Sequence, residues 1–381
     1  MSSFNLVSEL PYWLVLCRHA GIGPKRFARL LNQTNTVSNY FNGETPRREL
    51  LAWCEEQGIK KFNPDWRGVE KDLRWATQAG CAIITWAHPE YPQMLREISA
   101  PPPVLFVQGD ISALSQRQLA IIGSRTPTAE GKSNAYRFAY EAAGQGLVVT
   151  SGLALGVDGA AHEGALKGGG KTIAVLGNGL DQSYPAKHQA LAAAITGQGA
   201  LISEFAIGTP PLPAHFPQRN RIISGLSWGV LVIESALKSG SLITAQYALD
   251  QGREVFALPG SIHNALAKGC HALIRQGAAK CVDSLLHILE EMPPALPPVL
   301  AGIPVPALAA PTTPAPLLPA LSPEENLVYE SIGRRGITPL DEIVEKSGLT
   351  VEALSPMLLT LELNGRVLST PGGYTRVPVG V

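Results

Sequence analysis

The densest run of reactive side chains is His215-Phe216-Pro217-Gln218-Arg219-Asn220-Arg221, followed by Ile222-Ile223-Ser224-Gly225. From Phe216 to Arg221, an aromatic ring, two guanidinium groups and an amide fall within six residues. Guanidinium groups fork onto phosphate oxygens and a ring stacks on a base, so the mixture suits an unpaired polynucleotide. At least one of Arg219 and Arg221 is expected to be structural, held in an internal ion pair. Gly123-Ser124-Arg125, leading into Thr126-Pro127-Thr128, is a second candidate. Gly123 lets a ligand approach the backbone, Ser124 supplies a hydroxyl and Arg125 a forked cation, and the helix start leaves N–H groups free. Ser151-Gly152 and Ser239-Gly240-Ser241 are further small-residue runs whose amides would face an anion.

Other titratable positions bear on the same chemistry. Lys187, in Tyr184-Pro185-Ala186-Lys187-His188, begins a helix and is placed for phosphate contact, whereas Lys171 precedes its strand and should point away. An ionised Glu234 would repel phosphate, so its expected task is to orient loop amides or an arginine. Asp158 and His162 are four apart and can share a helix face. No nucleophile stands beside them at helical spacing, which favours a structural hydrogen bond or cap over catalysis.

Short apolar strands must position these loops. They are residues 119–122 before Gly123, 147–149 before Thr150-Ser151-Gly152, 173–176 before Gly177-Asn178-Gly179, 201–202 before Ser203-Glu204-Phe205, and 230–233 before Glu234. Helix-length segments separate them. That alternation specifies an α/β fold, an extended Rossmann-like parallel sheet whose C-terminal strand ends gather in one crevice. Later units are a strand at 254–258 and helices at 241–251, 269–276 and 284–291. Residues 104–107 look like an edge strand.

Around this core the chain divides into further parts. Residues 1–84 read as a helical domain. Ala20-Gly21-Ile22-Gly23-Pro24-Lys25-Arg26 resembles the bend of a helix-hairpin-helix, with Lys25, Arg26 and Arg29 near its amides. Residues 85–292 hold the Rossmann-like domain. Residues 293–320 contain ten prolines and no charge, the composition of an extended linker. Residues 321–381 read as three helices and a terminal hairpin, a small winged helix. It carries 5 basic and 8 acidic residues, which favours protein contact or regulation over nucleic acid.

Composition narrows the class. The 381 residues carry 31 basic and 31 acidic side chains, so any polyanion site must be a local cluster. Five cysteines without C-x-x-C indicate neither a disulfide framework nor a zinc site, and fit a reducing cytoplasm. Neither a signal peptide nor a membrane-spanning run is evident. The turn after the first core strand is not G-x-G-x-x-G, and no G-x-x-x-x-G-K-[ST], H-E-x-x-H or acidic metal cluster is present. No cofactor is expected, and dinucleotide redox chemistry, P-loop hydrolysis and metal-dependent nuclease activity lose their usual signatures.

The loops resemble those of the DNA-processing protein A family (DprA, also called Smf). The carriers are Gly123-Ser124-Arg125, Ser151-Gly152-Leu153-Ala154, Gly156-Val157-Asp158-Gly159 with Ala161-His162, and residues 172–181. Residues 216–226 and 239–245 continue the likeness, which spans about 85–290. The resemblance implies a dimeric protein that binds single-stranded DNA and helps load RecA during natural transformation, without catalytic residues. It also implies that Arg125, the 216–221 segment and a lysine of 184–188 line the DNA site. Leu155 stands where many relatives carry a basic residue, a departure that weakens one expected phosphate contact. Arg125→Ala and Arg219→Ala are each expected to lower affinity while the fold persists.

Two other functions compete. A nucleotide phosphoribohydrolase would need a Pro-Gly-Gly-x-Gly-Thr loop with a catalytic Glu, and Pro259-Gly260-Ser261 is the nearest approach. Base release from nucleoside monophosphates would mark it. A winged-helix regulator would prefer duplex DNA even without residues 85–292.

Overall fold

The computed structural model describes residues 6–19, 21–31, 37–41, 44–59, 62–292, 321–333, 338–364, 366–370 and 373–376. The chain forms two compact units, Met1–Pro294 and Ala295–Val381.

The first unit is built on a nine-stranded sheet. Its strands are β1 (Cys81–Thr85), β2 (Val104–Gly109), β3 (Gln118–Ile122), β4 (Val148–Ser151), β5 (Thr172–Val175), β6 (Ala200–Ser203), β7 (Gly229–Val232), β8 (Glu254–Ala257) and β9 (Lys280–Cys281). Their order is β1-β2-β6-β5-β4-β3-β7-β8-β9. From β6 to β9 all neighbours are parallel, while β2 is antiparallel to both β6 and β1. The chain walks outward from β3 through β4, β5 and β6, then returns to place β7 on the other side of β3. The strand order therefore reverses at the β3–β7 boundary, and such a reversal opens a crevice at the carboxyl ends of the strands.

Side-chain alternation explains why these strands are apolar throughout. Leu119 and Ile121 of β3 pack with Phe138 and Ala142 of helix Ala129–Gly144 on one face. Ala120 and Ile122 pack with Ile222 and Ile223 of helix His215–Leu226 on the other. A strand covered on both faces has no position for a solvated residue.

Residues 104–107 are not at the edge. They form most of β2, between β1 and β6, and all four are buried. An unbroken apolar run needs cover on both sides, and β1 supplies the additional pairing. Because β1 begins at Cys81, the sheet starts within the stretch expected to be mostly helical.

The N-terminal residues add helices Leu6–Cys17, Pro24–Leu31 and Trp66–Ala76, among others. Asp72 of the last is fully buried. It accepts from Arg18 Nη1 at 2.8 and 3.0 Å and from the N–H of Ile207 at 3.0 Å. Burial pushes its carboxyl up to about 6 despite the Arg18 charge. This contact ties the helical residues to the loop after β6. At the expected hairpin bend, Arg26 donates to the Gly21 carbonyl at 2.7 Å, leaving Lys25 and Arg29 exposed.

In the second unit, Ser322 and Glu325 form a reciprocal capping box that starts helix Pro323–Ser331. Helices Leu340–Ser347 and Val351–Leu363 follow, then the hairpin β10 (Val367–Thr370) and β11 (Gly373–Arg376). Val328, Ile343, Leu354, Leu361 and Val367 form its core. This is the expected winged helix. The expected linker, 293–320, lies outside the described residues.

Candidate nucleic-acid interface

A cavity of about 560 Å³ opens where the ends of β3 and β7 diverge. Gly123, Ser124 and Arg125 line it from the β3 side, and Ser239, Gly240 and Ser241 from the loop after β7. Phe216, Arg219 and Asn220 reach it from helix His215–Leu226. Three segments distant in sequence thus converge at the switch point.

The rim is built to meet an anion. Ser239 Oγ and Ser241 Oγ lie 2.7 Å apart, and Ser241 Oγ is 2.9 Å from Ser235 Oγ. Helix Ser241–Asp250 starts there, and its first N–H groups donate within the loop. Ser241 N–H donates to Ser239 Oγ at 3.3 Å, and Leu242 N–H to the Ser239 carbonyl and Ile243 N–H to the Gly240 carbonyl, both at 3.2 Å, which leaves the hydroxyls to meet a ligand. The carboxylate of Glu234 does not oppose this. It accepts from the Thr128 N–H at 2.8 Å, the Thr128 hydroxyl at 2.6 Å and Asn264 Nδ2 at 3.1 Å. As expected, it orients the loop that begins helix Ala129–Gly144.

Arg125 is exposed, and its guanidinium lies 5.7 Å from the Phe216 ring centroid. The Tyr184 ring is 5.5 Å from Phe216 and lines the same cavity. Tyr184 was not expected among the site residues. Its signal was an aromatic in the very segment that drew attention to Lys187.

Arg219 lies deeper, 4 % exposed, and donates to the Val175 carbonyl. Gly152 makes room for it: a Cβ there would overlap the guanidinium. Burial pulls the Arg219 pKa down to about 10, opposed by the charge of Asp158. Burial also raises the Asp158 carboxyl, opposed by Arg219 and by N–H groups of Ala154 and Gly152. Arg219 is therefore a buried cation backing the crevice, and its removal would leave Asp158 without its countercharge.

Four expected site residues are elsewhere. Ser151 is buried, its hydroxyl donating to the Ile121 carbonyl at 2.7 Å. Gly152 serves the packing of Arg219. Lys187 is exposed on the turn Ala186–His188, outside the crevice lining. Arg221 turns inward to Glu204, the two side chains only 8 % and 6 % exposed, and its Nε donates to the Ala100 carbonyl at 3.0 Å. It is the structural arginine. Arg221→Ala is expected to destabilise the fold by about 3 kcal/mol by stranding buried Glu204. Denaturant melts check this; a change under ~1 kcal/mol would contradict it.

Asp158 and His162 do not pair. Thr172 Oγ1 donates to the Val149 carbonyl at 2.6 Å, so it accepts from His162 Nδ1–H at 2.7 Å. Burial lowers the His162 pKa from 6.5 to about 3. Below its ordinary value the unfolded chain takes up a proton that the folded chain excludes, so stability falls with pH. His162→Asn can keep the donor to Thr172 without titrating. The stability lost between pH 7 and pH 5 should then shrink by about 2 kcal/mol. An unchanged loss in the variant would place the acid sensitivity elsewhere.

Neither Pro259-Gly260-Ser261 nor Glu234 lines the crevice. Among the described residues, no cluster of His, Cys, Asp and Glu could hold a metal, and no helix is long and apolar enough to cross a membrane. Residues 82–293 match the model of the DNA recombination-mediator protein A family, and 311–373 that of the DprA winged helix domain.

The chain belongs to the DNA recombination-mediator protein A family. Protein Smf of Escherichia coli (strain K12) is 44% identical over 312 residues, 82% of this chain and 81% of that protein. The X-ray structure of DNA processing protein A from Streptococcus pneumoniae has a TM-score of 0.61 at 34% identity, covering 74% of this chain and 96% of that one. DNA processing protein A from Helicobacter pylori has a TM-score of 0.51 at 30% identity, covering 55% and 94%. The description of that structure concerns its single-stranded DNA binding mode. The Rossmann-like sheet and the winged helix are thus those of DprA proteins.

Proposed function

We propose that the crevice binds single-stranded DNA by its phosphates, with one or two bases stacked on aromatic rings. The protein would protect incoming single strands and load RecA onto them during natural transformation, as a cytoplasmic homodimer and without a chemical step of its own. The observation that carries this reading is the exposed Arg125 guanidinium above Phe216, beside a rim of hydroxyls and a helix start. Cations that track a backbone and rings that accept any base favour unpaired strands without sequence preference. Kinship to a single-strand-binding relative supports the ligand.

Competition between labelled oligothymidine and unlabelled duplex tests the strand preference. The single strand should be displaced poorly by duplex; equal displacement would refute it. For the recombination step, RecA filament growth on oligothymidine should start sooner when the protein is added. An unchanged lag would remove RecA loading while leaving DNA binding intact. Sedimentation at micromolar concentration should give twice the chain mass; a monomer would refute the dimer.

A further inference from the structure

A second cavity, of about 260 Å³, adjoins the crevice, with Tyr184 bordering both. Its chemistry differs sharply. No Lys, Arg, Asp or Glu lines it, so it offers a phosphate no Lys or Arg countercharge. Leu153, Leu176, Leu180 and Leu201 contribute buried apolar walls. Against them stand Gln108, Gln182 and Gln189, whose side-chain amides make no hydrogen bond among the described residues. Three amides supply both donors and acceptors without charge.

The wall is held in an unusual conformation. Leu153 is the one non-glycine among the described residues at positive φ, +57°. Its carbonyl accepts from His188 Nδ1 at 2.9 Å, which pins the strained turn against the cavity. Backbone strain of this kind persists where the surroundings enforce it, commonly at ligand sites. The volume is just below the ~300–1,000 Å³ typical of drug-sized ligands. A flat, uncharged group with apolar faces and a hydrogen-bonding edge fits all of these features.

We propose that this cavity takes a single nucleobase, one face against the exposed Tyr184 ring above the leucine floor and its edge read by Gln108, Gln182 and Gln189. The proposal rests on the single-strand reading of the crevice, since it is the adjacent phosphate site that would deliver the base. The crevice then holds the thread and the second cavity samples what hangs from it.

The test has two arms, each using the full chain. In the first, anisotropy compares oligothymidine with an abasic oligomer of equal length, for wild type and for the double variant Gln108→Ala/Gln182→Ala. The wild-type preference for the base-bearing strand should fall about tenfold in the variant, with abasic binding and melting temperature unchanged. In the second, saturation-transfer spectra are recorded with the four free deoxynucleosides, which carry no phosphate. At least one should show transfer that is lost in the double variant and kept in Arg125→Ala. An unchanged oligomer preference in the variant, or nucleoside signals indifferent to it, would overturn the base site while the crevice reading stands. Nucleoside signals that follow the glutamines without any oligomer binding would keep the base site and sink the crevice. Absence of both would sink both.

Discussion

Arg125→Ala should weaken oligothymidine binding by about ten- to a hundredfold, the loss of one charge-assisted contact of roughly 1.5–3 kcal/mol. Arg125 is exposed and its guanidinium rests over the Phe216 ring, so the melting temperature should barely move. Phe216→Ala should cost a similar factor, since stacking of a base on a ring is worth about 1–3 kcal/mol. The two losses should not add, because the guanidinium sits over that ring and each group helps place the other. Anisotropy on the two single variants and the double variant measures this directly. Full additivity would mean that the groups contact separate parts of the strand. Arg219→Ala is a poorer probe than its sequence position implies. Its burial beside Asp158 makes loss of stability part of any loss of binding.

The largest stability effect is expected at Asp72→Ala. Arg18 Nη1 and the Ile207 N–H would both lose their acceptor at a fully buried position. Breaking a buried pair by removing one partner costs about 3–5 kcal/mol, a large fraction of a typical domain's stability. The damage should be localised. Helix Trp66–Ala76 and the loop after β6 should loosen first, because Asp72 joins them. Denaturant melts give the magnitude, and amide exchange at Ile207 gives the place. A loss below ~1 kcal/mol with Ile207 still protected would show that the apolar contacts of the same helix suffice.

Much of this was legible in the sequence because the sheet is buried on both faces. Residues such as Leu119–Ile122 and Val230–Ile233 are apolar without interruption, and the small residues that follow them mark the strand ends. The converging loops follow from that topology alone. What sequence could not supply was direction. Arg219 and Arg221 lie two apart on one helix, about 200° around its axis from each other. One backs the crevice and the other pairs with Glu204, a residue whose role the local pattern does not announce. The same limit hid β2: an apolar run looks alike at an edge and in the interior until its neighbours are known. Tyr184 was overshadowed by a lysine three residues on, although the ring, not the ammonium, reaches the cavity.

Counterion release offers the most direct test of a phosphate-binding crevice. The logarithm of the oligothymidine association constant should fall linearly with the logarithm of salt concentration. In Arg125→Ala the slope should be shallower by about 0.7, the value for one phosphate contact on a single strand. An identical slope in wild type and variant would mean that Arg125 touches no phosphate, and the crevice could not be where the strand is held.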